Sequence, residues 1–241
     1  MNVTTTYIVL FITAFLSGLS ILLYKKISSN QNLKLLLPFS GAFLLAICIL
    51  HLIPELYEDY KPSTGIFILI GFVIQIVLEV FSKGIEHGHF HAHEKKSINF
   101  PFALFISLCF HAIIEGMALS SPHAHAHAHH FENQSLLLGI VIHKIPIAIV
   151  LVTLLKSNGL SNKITSIALF VFAAAAPIGL FIAEQYGSMQ NGNPHILMAL
   201  AVGVFLHIST TILFETSENH KFNVKKYTII ILGLIAAVLT L

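Results

Sequence analysis

Long apolar runs separated by short polar stretches set the pattern of this chain. Eight segments read as continuous apolar stretches: 7–24, 36–56, 64–82, 100–120, 135–155, 165–184, 195–214 and 227–241. A bilayer core about 30 Å thick needs about 20 apolar residues in helical form. Backbone groups inside lipid must be satisfied within the element, so only helices or closed barrels span. The runs are unbroken and do not alternate, which excludes barrel strands. The pattern therefore predicts an all-α polytopic membrane protein: residues 1–241 as one bundle of eight transmembrane helices.

Lysine placement orients the bundle. Lys25, Lys26 and Lys34 follow span one; Lys83, Lys95 and Lys96 follow span three. Lys156 and Lys163 follow span five, and Lys221, Lys225 and Lys226 follow span seven, while Lys61 stands alone in the other connections. Cytoplasmic loops collect positive residues, so both termini are expected outside. The two longest connections are then a cytoplasmic loop at 83–99 and an external one at 121–134. The opening MNVTTTY has no basic stretch of the kind that precedes a cleaved signal, so the first span is expected to be retained. Eight spans leave no length for a soluble catalytic domain.

Composition sharpens this picture in three ways. Only 10% of residues are charged and 56% are hydrophobic, with a mean hydropathy of +0.84, against roughly a quarter charged in a soluble domain. The net charge is +2 and the chain has no arginine, which argues against a nucleic-acid partner. Fifteen histidines point toward metal chemistry. Cys48 and Cys109 lie in apolar runs without CxxC spacing and read as buried thiols.

Ionisable side chains at membrane depth are costly and mark polar pathways. Here they recur on a four-residue stride, one helical turn. Span four holds His111 and Glu115 in HAIIEG; span two holds His51 and Glu55 near its outer end. Span five carries His143 and Lys144 in IHKIPIA, and span seven has His207, Thr211 and Glu215 in HISTTILFE. Imidazole and carboxylate one turn apart can converge on a divalent ion such as Zn²⁺, with Fe²⁺, Mn²⁺ or Cd²⁺ as competitors. An ion also compensates a carboxylate stranded in low dielectric. A lone histidine on an apolar helix is more often an interhelical hydrogen-bond partner; several such spans together favour metal. Pro146 and Pro177 interrupt helical hydrogen bonding, and such breaks commonly flank transporter substrate sites, although each alone also reads as a packing kink.

The connections repeat the theme. His123, His125, His127, His129 and His130 alternate in the external loop, and His87, His89, His91 and His93 in the cytoplasmic one, flanked by Glu86 and Glu94. Neutral imidazoles near pH 7 are available as ligands. Metal gathering outside and buffering inside is weighed evenly against a tolerated polar linker.

Together these residues resemble the ZIP family of zinc and iron transporters. GAFLLAICILHLIPE is similar to its second span, HAIIEG and IHKIPIA to its fourth- and fifth-span signatures, APIG and GVFLHISTTILFE to its sixth and seventh. The resemblance implies uptake of a divalent cation into the cytoplasm through a site between spans four and five, across a plasma or bacterial inner membrane. It carries metal-ligand roles onto His111, Glu115 and His143, and admits a homodimer. It implies no catalytic cofactor; the ion is cargo. His51 with Glu55, and His207 with Glu215, become candidate way-stations.

Four positions depart from the two-metal pattern found in many members. Ala112 stands where Asn follows the fourth-span His, Lys144 where an acid follows the fifth-span polar residue, Ile147 for the usual glutamate, and Ala176 for the acid before the sixth-span proline. Each change removes a ligand, and Lys144 adds a fixed positive charge where a second ion would sit. One transport ion is therefore expected. The rival readings are an integral-membrane metalloenzyme with histidine boxes and a metal-sensing membrane protein.

Overall fold

The computed structural model describes residues 3–23, 31–58, 63–82, 100–120, 132–189, 193–215 and 224–240. Within them the chain forms eight helical rods and no strand. They are α1 (Val3–Leu23), α2 (31–58), α3 (Ser63–Ser82), α4 (Phe102–Met117), α5 (Glu132–Ser157), α6 (Asn162–Ser188), α7 (Pro194–Glu215) and α8 (Val224–Thr240). The all-α polytopic architecture expected from the apolar runs is the one observed. Six of the rods are long and apolar enough to cross a membrane; α4, at 16 residues, is shorter. The histidines of 83–99 and 121–130 lie outside the described residues.

The second rod is not uniform. It runs as α-helix over Gln31–Ile47, widens into a π turn over Cys48–Leu52, and resumes over Ile53–Glu58. The Ile53 N–H bonds the Cys48 carbonyl, one residue further back than in an α-helix. Pro54, just beyond, cannot donate, and the wide turn lets the rod continue through it. The turn between α5 and α6 is tight. Gly159 adopts φ +79°, Leu160 N–H reaches back to the Leu155 carbonyl, and the Ser161 side chain accepts from Ile164 N–H to start α6. Lys156, in the last turn of α5, donates to the Leu160 carbonyl and to Asn162 Oδ1, the sign of charge a helix C-terminus favours.

The rods pair closely. Helix α3 lies along α7, α4 along α6, α2 along α8, and α1 along both α5 and α6. Two pairs are seated glycine on backbone. A Cβ at Gly71 would strike the Leu200 carbonyl and one at Gly203 the Ile68 carbonyl; Gly116 meets Ala176 and Gly179 meets Ile113 in the same reciprocal way. Small residues let helices approach where lipid supplies no hydrophobic drive between them. The helices α1, α4, α5 and α6 share an apolar core from Ala14 and Leu108 to Leu151 and Phe172. A second core joins α2 and α7 to the facing ends of α1, α5 and α6 through Leu10, Phe43, Ile140, Leu180 and Phe205. Contacts of α2 with α5 and of α4 with α3 and α7 close the bundle. Outward-facing Leu69, Val73, Val77, Phe170, Ile178 and Phe181 stay exposed, the apolar exterior that lipid requires.

Candidate metal centre

The polar seam is built where α4, α5 and α2 meet. His111 and Glu115 stand one turn apart on the inner face of α4, both 1% exposed. Gly116, next in the chain, presses on the Ala176 backbone and so fixes how α4 rotates. Helix α5 presents His143 and Lys144, which are equally buried. Pro146 lies inside α5 and Pro177 inside α6. By lacking an N–H each leaves the carbonyl four residues back, Ile142 and Ala173, without its helical donor.

Glu115 divides its two oxygens. Oε2 accepts from Lys144 Nζ at 2.6 Å. Oε1 lies 3.2 Å from His111 Nε2 and 3.8 Å from His143 Nε2. One ligand atom from each of His111, Glu115 and His143 falls within 4.8 Å of the others. Bonds of about 2.0–2.1 Å around tetrahedral Zn²⁺ put neighbouring donors roughly 3.4 Å apart, close to the two spacings about Oε1. Neither nitrogen of His111, nor Oε1 of Glu115, has a hydrogen bond of acceptable geometry among the described residues. Buried polar atoms are rarely left so, and a cation between His111 Nε2 and Glu115 Oε1 would satisfy those two.

Two neighbours missed in the sequence shape this centre. Ser40, on α2, gives its proton to the Leu37 carbonyl at 2.9 Å and sits 3.3 Å from His143 Nδ1. Its hydroxyl has one proton; directed at that carbonyl, it leaves the oxygen to accept from Nδ1–H of the ring. That leaves the lone pair on Nε2, the atom facing Glu115. Phe172, on α6, offers its ring face 5.4 Å from Lys144 Nζ, a cation–π contact that helps hold the ammonium in an apolar wall. No sequence signal marks Phe172. Ser40 sits at a span's inner third with nothing to distinguish it.

The other expected residues lie apart from this cluster. His51 Nε2 is 3.8 Å from Glu55 Oε2 at the π turn of α2. His207 meets a carboxylate from a different rod: its Nε2 lies 3.4 Å from Glu79 Oε2 on α3, with Phe72 edge-on at 4.9 Å. Glu215 closes α7, and its side chain is outside the described set. Glu79 was passed over in the sequence, although Gln75 and Glu79 follow the same four-residue stride as His111 and Glu115.

The profile described as "ZIP Zinc transporter" matches residues 3–101 and 99–240. The chain belongs to the ZIP zinc transporter family. The protein is thus an integral membrane protein of a family of transporters. Among curated proteins it is 23% identical over 240 residues to "Zinc transporter 11" of Arabidopsis thaliana, covering 84% of this chain and 71% of that protein. It is 23% identical over 161 residues to "Zinc transporter ZIP9" of Micropogonias undulatus and 24% to that of Xenopus tropicalis. These two matches cover 64% of this chain and only about half of each relative, 51% and 52%.

Proposed function

We propose that this protein carries a divalent metal ion, zinc foremost, into the cytoplasm through a mononuclear site formed by His111, Glu115 and His143. The observation that carries the reading is the division of Glu115: one oxygen open toward two imidazoles, the other tied to Lys144. Family membership supports divalent metal as the cargo. The chemistry of the donors supports a borderline ion such as Zn²⁺, and admits Fe²⁺ and Mn²⁺.

Lys144 does the work that a second metal does elsewhere in the family. It supplies the fixed positive charge beside Glu115, and a cation already bonded there opposes entry of another. With neutral imidazoles, Glu115 and Lys144 cancel, so the centre attracts a dication through its donors and not through net charge. Such a site grips less tightly and lets go more readily, which transport requires. His51 and Glu55 serve as the outer approach. The histidine-rich loops gather metal outside and buffer it inside.

Reconstituted vesicles decide the matter. Parent protein should admit zinc and His111→Ala should not; vesicles of the parent that stay impermeable to zinc, iron and manganese would remove the proposal. Zinc bound per chain should be unchanged in number by Asp or Glu at 144 only if the charge idea is wrong. A Lys144→Asp variant is expected to add one bound ion.

A further inference from the structure

We propose that Gln75 and Glu79 of α3, with His207 of α7, form a second cation-holding station, which receives the ion from His111, Glu115 and His143 before its release. The order of events rests on the transport reading above; the station itself rests on its own geometry.

Glu79 Oε2 and His207 Nε2 stand 3.4 Å apart, with side chains 22% and 11% exposed. Gln75 is 0% exposed, and neither its amide nitrogen nor its oxygen has a hydrogen-bond partner among the described residues. Its direction follows from the helix. Gly71, one turn earlier, lies against the Leu200 backbone of α7, and Glu79, one turn later, meets His207 of the same rod. Residues four apart share a face, so Gln75 faces α7 between those two contacts. On α7, Gly203 and His207 are likewise one turn apart, and Gly203 lies against Ile68 and Phe72 of α3. Glycines draw the two backbones together, and the polar side chains occupy the next turn.

A Glu79–His207 ion pair that merely glued α3 to α7 would leave the buried Gln75 amide without a purpose. A carboxylate oxygen, an imidazole nitrogen and an amide oxygen on one face are donors that a divalent cation accepts. The cation then satisfies the Gln75 oxygen that the protein leaves bare.

Position links the station to the first centre. Ser107, one turn from His111 on α4, donates to the Leu78 carbonyl at 2.5 Å, the residue beside Glu79. The α4 face that holds His111 thus leads onto α3 at the station. Glu79 is three residues from the end of α3, about 4.5 Å at 1.5 Å per residue, and His111 is nine from the start of α4, about 14 Å. By the lysine pattern both of these ends are cytoplasmic. Charge gives a direction as well. Glu115 is paired with Lys144 at 2.6 Å. An ion passing from the first centre to the second leaves a fixed positive charge behind.

Zinc bound by the purified full chain, measured by equilibrium dialysis, tests this against two variants and one gain of function. A Glu79→Gln/His207→Gln protein is expected to lose one zinc while keeping the zinc that His111→Ala removes; that retained ion also reports that the fold is intact. Gln75→Glu is expected to tighten the station's zinc about tenfold, since it adds a charged donor. The loop histidines are common to every version and cancel in the difference. An unchanged zinc count in the double variant overturns the station, as does an unchanged affinity in Gln75→Glu. If the station's zinc is lost as expected but parent vesicles take up none, the station stands and the transport reading falls. If vesicles take up zinc and the count is unaltered, transport stands and the station falls.

Discussion

Lys144 and Glu115 show what one residue decides in a low-dielectric interior. Their charges are buried together, 2% and 1% exposed in the side chain, at 2.6 Å. Removing one partner of such a pair strands the other, at about 3–5 kcal/mol, whereas replacing both by apolar groups is often neutral. Thermal unfolding in detergent should therefore rank Lys144→Met below the double variant Lys144→Met/Glu115→Leu, even though the double variant has lost a proposed metal ligand. Equal unfolding temperatures would mean that water or another group compensates Glu115. Ser40 acts through His143. Partners that orient a ligand are worth about 10–100-fold in metal affinity, so Ser40→Ala should weaken zinc binding by about that factor while leaving the number of bound ions unchanged. An unaltered affinity would show that the ring keeps its tautomer without the hydroxyl.

At the scale of the element, glycine on backbone sets how the rods pair. Gly116 and Gly179 seat α4 on α6, and Gly71 and Gly203 seat α3 on α7. Gly116→Val would push α4 off the Ala176 carbonyl and rotate His111 and Glu115 away from α5. It is expected to reduce folded yield or abolish zinc binding, read by gel filtration and dialysis. Gly187→Val is the control, because a Cβ there meets only Pro194 at an ordinary 3.8 Å. Similar losses in both would show that helix propensity, and not close approach, is what matters. The π turn in α2 belongs to this scale too: such insertions are frequent at functional sites, and here one holds His51, with Glu55 in the α-helical turn that follows.

The whole molecule joins two sets of rods, α1, α4, α5 and α6 on one side and α2, α3, α7 and α8 on the other. The proposed metal centre lies along their boundary: His111, Glu115, His143 and Lys144 belong to the first set, and Ser40 reaches His143 from the second. Relative movement of the sets would change what faces the ion while leaving its three ligands together. The lysine pattern expects both termini outside, so a tag at either end of the chain in intact cells should be reachable by an impermeant reagent. Protection of one tag but not the other would mean an odd number of crossings. Deleting 123–130 or 87–93 should shift the concentration dependence of uptake and spare uptake itself; complete loss with normal surface delivery would place those histidines in the path.

Much of this was legible without coordinates, because lipid imposes a simple rule. A rod that must satisfy its own backbone and face hydrocarbon announces itself as a continuous apolar run, so the all-α bundle follows from local pattern alone. The same rule makes His111, Glu115 and His143 conspicuous, since an ionisable group there needs a reason. What one chain in isolation does not encode is which rods touch. Glu79 becomes the neighbour of His207 only because glycines seat α3 on α7, and Ser40 reaches His143 only because α2 crosses α5. These pairings join residues 128 and 103 positions apart. Hydrophobicity is a property each segment carries by itself, while the choice of neighbour depends on the shapes of all eight rods at once, and that was decided only by packing.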